Sequence, residues 1–332
     1  MVQITGFASA QRSRPLPDLQ LYRKGGRMTF SSSRVLLTGA TGFLGQHVKT
    51  ALIEAGILAG CLVRPGRKGP ASKNVTWLES PTETEAIVET ARGFAPDLIF
   101  HCGGRVLTEH SASDVDDLVQ SNLLLTTALC EAGHLCGGLP IVNLGTCLEH
   151  GESGGLSPNS LYAATKVAAA SIISYYCEQR NAAAITLKAP VIYGPGENRP
   201  RLVRLLIDAA ISGQAIDLSP GEQELDVLHV RDAVAAVMLA AQKVAKPEAA
   251  GRHRICQVTS GQTITPRLLA REIENLSGKK VPANWGARPY KSGERMKHWT
   301  GSPQLEGWSP QVDLRTGLAE LMESSCLQSE NA

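Results

Sequence analysis

The sequence predicts an α/β chain built on a doubly wound parallel sheet, with a smaller α/β lobe toward the C-terminus. Three observations carry this. Short apolar runs at residues 35–37, 59–63, 97–101 and 140–144 alternate with stretches of helical periodicity. Each run is apolar almost throughout instead of alternating, which marks strands buried on both faces of a parallel sheet. The first run enters glycines at 39, 42 and 45, and an amphipathic helix is predicted over 43–55. Strand, glycine turn and helix in that order aim backbone N–H groups and the positive end of a helix dipole at one point, where a pyrophosphate binds.

Length and composition bound the rest. A chain of 332 residues can bury a large core, and its net charge of +2 gives no general case for nucleic acid or an anionic membrane. Eight cysteines are scattered with no C-x-x-C pair, so they read as reduced thiols of a cytoplasmic protein, with neither a metal site nor a disulfide framework. No run approaches the roughly 18 apolar residues of a membrane span. Residues 1–33 hold five basic side chains against Asp18, together with Pro15 and Pro17 and no apolar segment. They read as a disordered extension, not a secretory signal.

Taken in order, the glycine turn brings Gly39, Thr41, Gly42, Phe43, Leu44 and Gly45 to the expected cofactor site. The second strand, residues 59–63, ends on Arg64-Pro65-Gly66-Arg67-Lys68. A dinucleotide fold places an acid there for the ribose of NAD, whereas an arginine accommodates the 2′-phosphate of NADP. NADP is therefore the expected cofactor, with NAD the alternative. A third strand follows at 75–78 and a helix at 81–92. The strand at 97–101 ends in His101, Cys102 and Gly103, small enough at its exit for a cofactor to lie against the backbone. A long helix is predicted over 114–136, with Asn122 polar in an apolar stripe. The strand at 140–144 leads to Gly145-Thr146-Cys147. A helix over 162–181 then opens with Tyr162 and Lys166, whose four-residue spacing puts phenol and ammonium on one face. A nearby ammonium would lower the phenol's pKa and make it a usable acid or base.

With these motifs in order, the chain resembles the extended short-chain dehydrogenase/reductases, the NAD(P)-dependent nucleotide-sugar epimerase and dehydratase group with a Rossmann-type sheet. The resemblance runs from about residue 34 to about 324. It rests on T-G-A-T-G-F-L-G at 38–45, H-C-G-G at 101–104, N-L-G-T-C-L-E-H-G at 143–151, Y-A-A-T-K at 162–166, V-I-Y-G-P-G at 191–196 and V-L-H-V-R-D-A-V at 227–234. Near the end, G-A-R-P-Y-K-S-G-E at 286–294 and L-E-G-W-S-P at 305–310 resemble that group's sugar-nucleotide lobe.

The resemblance implies that Tyr162 is the proton donor or acceptor, that Lys166 lowers its pKa and holds the nicotinamide ribose, and that Thr146 hydrogen-bonds the reacting oxygen. It implies a cofactor-binding domain over 34–190, rejoined by segments near 225–260, and a lobe over 191–330 that mainly binds substrate. Val191 joins the cofactor residues, and Thr108, Asn198, Arg199 and Arg295 are the substrate candidates. His229 and Asp232 are expected to hold the lobe to the sheet, and Trp285, Trp299 and Trp308 to anchor it. Where the group's 4,6-dehydratases carry Thr-Asp-Glu, this chain has Thr146-Cys147-Leu148, which argues against dehydration; Lys188 replaces a usual arginine. The expected function is NADP-preferring reduction of a keto group, at C4, of a nucleoside-diphosphate sugar. The alternative is an epimerase with tightly bound NAD; a non-sugar ketone reductase and a non-catalytic NADP sensor rank below both. A homodimer through the helices of 114–136 and 162–181 is implied.

Overall fold

The structure, a computed structural model, describes residues 33–330, with side chains as far as residue 325; the basic extension expected at the N-terminus falls outside the described residues up to residue 32. The central sheet is built from β1 (Arg34–Thr38), β2 (Leu58–Val63), β3 (Val75–Glu79), β4 (Leu98–His101), β5 (Ile141–Thr146), β6 (Ala184–Ala189) and β10 (His253–Gln257). Its seven strands lie in the order β10-β6-β5-β4-β1-β2-β3 and every pairing is parallel. The order reverses between β1 and β4, so the loops leaving these two strands diverge and open a crevice at their C-terminal ends.

The helices cover both faces because both faces are apolar. Helices α2 (Thr84–Phe94), α4 (Leu125–Leu135) and α5 (Leu161–Arg180) pack one face in a cluster that includes Leu36, Ile87, Ile99, Leu129, Ile141 and Ile173. Helices α1 (Phe43–Glu54) and α7 (Val230–Val244) pack against each other, and α7 lies on β5 and β6. Each fully buried Leu or Ile here contributes about 1.5–3 kcal/mol. Helix ends follow the local chemistry. Ser160 caps α5 by accepting from the Ala163 N–H at 3.2 Å, and Asn181 ends it in the left-handed region at φ 56°.

The predicted long helix at 114–136 is not continuous. A 3-10 turn (Ala112–Asp114) leads into α3 (Val115–Val119), a π turn (Gln120–Leu124) and then α4. Asn122 sits inside the π turn, fully buried. Its Nδ2 donates to the Arg105 carbonyl at 2.9 Å and to Thr165 Oγ1 at 3.1 Å, and its Oδ1 accepts from the Arg105 N–H at 2.9 Å. A regular helix would not aim one side chain at both the β4 exit loop and α5, and π turns recur at such sites.

Beyond the sheet, β7 (Val191–Tyr193), β9 (Leu225–His229) and β11 (Thr263–Ile264) form a three-stranded sheet, and β8 (Ile216–Leu218) pairs with β12 (Ala283–Trp285). Helices α6 (Leu202–Ser212), α8 (Pro266–Ser277) and α9 (Leu314–Glu330) pack here around Leu206, Ile207, Val227, Leu269, Ile273 and Leu318. Asp232 ties this region to the sheet. Its carboxylate accepts from the Gln311 and Val312 N–H groups, both at 3.0 Å, and its carbonyl accepts from Trp308 Nε1 at 3.1 Å. His229 caps α7, lies 3.6 Å from Glu320 and packs edge-on to Tyr193. Trp299 and Trp308 are buried; Trp285 is half-buried beneath Arg267.

Candidate active site

The glycine turn forms a close cradle. Gly39 has φ +73°, and a Cβ there would lie 2.7 Å from the Gly103 nitrogen; a Cβ on Gly45 would lie 1.9 Å from the Gly39 carbonyl oxygen. Only glycine allows β1, α1 and the β4 exit to come this close. The first turn of α1 carries no acidic residue and no side-chain cap. Among the described residues nothing neutralises its N–H groups and dipole, which suits an anionic ligand. A cleft of about 400 Å³ runs from this turn across the ends of β2 and β3, lined by Gly39, Thr41, Gly42, Arg64, Arg67 and Gly103 among others. These features fit a dinucleotide.

The other expected cofactor residues are placed as follows. Phe43, Leu44 and Gly45 are buried at the start of α1, and His101 is buried behind the turn. Thr126 donates to the Asn122 carbonyl at 2.6 Å, so it accepts from His101 Nε2 at 2.9 Å; His101 Nδ1 then accepts from the Thr38 hydroxyl at 2.8 Å. Thr38 in turn accepts from the Gly103 N–H at 3.1 Å. Burial, helped by the charge of Lys166, pushes the His101 pKa down to about 3. The ring stays neutral and props the turn without titrating. Cys102 and Val191 are half-buried.

Thr146, Tyr162 and Lys166 lie outside the lining of the cleft, at the ends of β5 and the start of α5. All three are buried, at 6%, 7% and 5% exposure. The Thr146 side chain is close enough to Tyr162 to favour its phenolate. Lys166 departs from the expected electrostatics. The Tyr162 phenol is raised above its ordinary value by burial and then by the charge of Glu149, and the cation opposing this is Arg201. Lys166 makes no hydrogen bond or ion pair with a described residue; its Nζ lies 3.7 Å from where a Cβ on Gly104 would stand. The four-residue spacing shares a face, as predicted, but the long lysine stem carries the ammonium toward the β4 exit. Burial lowers its pKa to about 8.

The substrate candidates are less gathered. Thr108 Oγ1 meets Lys291 Nζ at 2.7 Å, and Arg295 bonds the Ser157 carbonyl. Arg199 and Arg201 flank the buried Glu197 at 3.3 and 3.7 Å, while Asn198 is exposed beside them. One site residue escaped the sequence reading. Glu149, entirely buried, accepts from the Thr146 N–H at 2.9 Å and from Lys188 Nζ at 2.7 Å. The signal was present: an acid three residues after Thr146 and a cation on the neighbouring strand, where Lys188 pairs in register with Gly145. Among the described residues no cluster of His, Cys, Asp and Glu is placed to hold a metal ion.

Comparison with known proteins gives the arrangement its family. The sequence matches the NAD dependent epimerase/dehydratase family over residues 35–255. It is 22% identical over 303 residues to a CDP-abequose synthase of Salmonella typhimurium, covering 89% of this chain and 99% of that one. It is 25% identical over 314 residues to a dTDP-6-deoxy-L-talose 4-dehydrogenase (NAD(P)(+)) of Kitasatospora kifunensis, covering 87% and 94%. Among solved structures, a Thermus thermophilus UDP-glucose 4-epimerase in complex with NAD shares the fold at a TM-score of 0.75 and 21% identity, covering 88% and 98%. MoeE5 in complex with UDP-glucuronic acid and NAD does so at 0.78 and 22%, covering 89% and 99%. The chain belongs to the NAD dependent epimerase/dehydratase family and is an NAD(P)-dependent enzyme of the extended short-chain dehydrogenase/reductase type.

Proposed function

We propose that this enzyme uses NADPH to reduce the C4 ketone of a nucleoside-diphosphate sugar. The observation that carries the reading is the convergence of Thr146 and Tyr162, both buried, with Lys166 held toward the cofactor cleft. The nicotinamide supplies the hydride. As the ketone is reduced, negative charge builds on its oxygen; the Thr146 hydroxyl stabilises it and Tyr162 delivers the proton. Burial keeps Tyr162 protonated until that charge appears. Lys166, buried and without a hydrogen bond or ion pair among the described residues, is the group we assign to the nicotinamide ribose. Relatives named for CDP-abequose synthesis and for a 4-dehydrogenase acting on a dTDP-6-deoxy sugar support both substrate class and position.

The NADP preference rests on Arg64 and Arg67 at the cleft, where an NAD enzyme carries an acid. Arg64 lies 3.8 Å from Asp117 and is largely exposed, so it is free to turn to a 2′-phosphate. Dehydration lacks its acid: Glu149 is committed to Lys188 and Thr146. We assign the homodimer contact to the helices carrying the exposed Val119, Leu124, Leu135 and Tyr175, and the free cysteines agree with a reducing, cytoplasmic setting.

The test is a melting-temperature screen with NADP, NAD and a panel of nucleotide sugars, followed by NADPH oxidation with a dTDP-4-keto-6-deoxy sugar. NADP stabilisation exceeding that by NAD, together with turnover that Tyr162→Phe abolishes, is the expected result. Stoichiometric NAD retained through purification, with no response to NADPH, selects the epimerase reading instead.

A further inference from the structure

Glu149 and Lys188 form the most completely buried ion pair among the described residues, with side chains 0% and 3% exposed. Gly145 makes the room: a Cβ there would stand 3.0 Å from Glu149 Oε1 and 2.9 Å from Thr186 Cγ2. The pair does not end at two charges. Lys188 Nζ also meets His150 Nε2 at 2.8 Å, and because an ammonium only donates, that nitrogen accepts and the ring proton sits on Nδ1, 3.3 Å from the Gly154 carbonyl. The His150 ring stacks on buried Trp299 at 3.7 Å and 1°. At the other end, Glu149 Oε1 holds the Thr146 N–H within a capping box, and the Thr146 hydroxyl accepts from the Leu148 N–H at 3.3 Å.

We propose that Glu149, clamped by Lys188, is a positioning residue: it fixes the Thr146 backbone so that the threonine hydroxyl meets the reacting oxygen beside Tyr162, and His150 with Trp299 ties that aim to the C-terminal region. The proposal rests on the reading of Thr146 and Tyr162 given above. Stability alone does not account for the pair, since buried ion pairs are commonly replaced by apolar residues of similar volume without loss. The charge of Glu149 also acts on Tyr162, opposing the phenolate with Cys147 while Arg201 and Thr146 favour it; variants that lose this charge with and without the acceptor oxygen separate the two effects. The Thr146 N–H at 2.9 Å assigns Glu149 its role through that oxygen, and Lys188 offsets its charge.

The test compares two double variants of the full enzyme, using NADPH and a dTDP-4-keto-6-deoxy sugar as the probe. E149L/K188M removes both charges and the acceptor; E149Q/K188M removes both charges but keeps a carbonyl for the Thr146 N–H. We expect E149L/K188M to lower kcat on the order of tenfold with KM nearly unchanged, and E149Q/K188M to recover most of it. Thr146→Val lowers kcat by about 100-fold, and adding E149L/K188M to Thr146→Val lowers kcat no further. Equal kcat in the two double variants, or losses that multiply with Thr146→Val, overturns the proposal. Wild-type turnover in Thr146→Val and Tyr162→Phe instead overturns the reading of the site. Amide exchange over residues 145–150 needs no substrate: protection falls in E149L/K188M and is kept in E149Q/K188M, and unchanged protection in both overturns the proposal whichever sugar is used.

Discussion

Replacing Gly45 by alanine is the sharpest test of the cofactor cradle. The added Cβ would lie 1.9 Å from the Gly39 carbonyl oxygen and 2.6 Å from its carbon. An ordinary carbon–oxygen contact is about 3.3 Å or more, so the two backbones must separate by roughly 1.4 Å. The turn has nowhere to go, because Gly39 is itself pressed against Cys102 and Gly103. Helix α1 must move instead, and it buries Phe43, Leu44, Val48 and Leu52. Overpacking of this kind costs about 1–3 kcal/mol, against a gain of about 1 kcal/mol from alanine's helix propensity. The expected fall in melting temperature is therefore small, a few degrees at most. The cofactor effect is larger. Loss of one charge-assisted N–H contact to the pyrophosphate removes about 1.5–3 kcal/mol, a 10- to 100-fold rise in the Kd for NADPH. Fluorescence titration with NADPH measures it. Gly93, helical in α2 with nothing near its missing Cβ, is the control: Gly93→Ala should leave NADPH affinity unchanged. If Gly45→Ala binds NADPH as the wild type does, the assignment of the turn to the pyrophosphate is refuted.

Further outcomes follow from other parts of the molecule. Arg64→Asp should weaken NADPH on the order of tenfold or more while leaving NADH binding within about twofold, because only the former carries a 2′-phosphate; parallel Kd measurements decide it. Asp232→Ala should cost about 3 kcal/mol in urea denaturation, since the Gln311 and Val312 N–H groups lose an ionised acceptor. Acid should destabilise the fold through its buried histidines. Burial depresses His101 and His229 to about 3 and His253 to about 4, from an ordinary 6.5. Below pH 6.5 the unfolded chain takes up protons that the native one refuses, so stability is full above that pH and falls as pH drops, by up to about 1.4 kcal/mol per pH unit per histidine. Urea melts at pH 7 and pH 5 test this, and a pH-independent midpoint would contradict it.

Much of the architecture could be read in the chain because it is local. The glycine spacing at 39, 42 and 45 and the apolar runs of β1, β2, β4 and β5 each sit within one strand or turn. The helix ends at Ser160 and Asn181 depend on neighbours a few residues away. What escaped reading was non-local. The π turn at Asn122 depends on Arg105 and Thr165, 17 and 43 residues distant. Glu149 finds Lys188 only because β5 and β6 are adjacent, 39 residues apart in sequence. The direction of Lys166 depends on how closely the β4 exit passes α5, which no helical spacing encodes. The β10 strand, whose addition completes the sheet beyond β6, comes from a segment that sequence reading could place only by resemblance.

The π turn also sets a register. By holding one residue more than an α turn, it rotates everything after it by about 100° relative to an uninterrupted helix. Asn122 can therefore address the Arg105 loop while Ala128, Leu129 and Ala132 face the core. Deleting a single residue between 120 and 124 would restore a continuous helix and turn the apolar stripe of α4 away from α2. A one-residue gap there would thus act on the hydrophobic core as a frameshift acts on a reading frame, displacing every side chain of α4 at once.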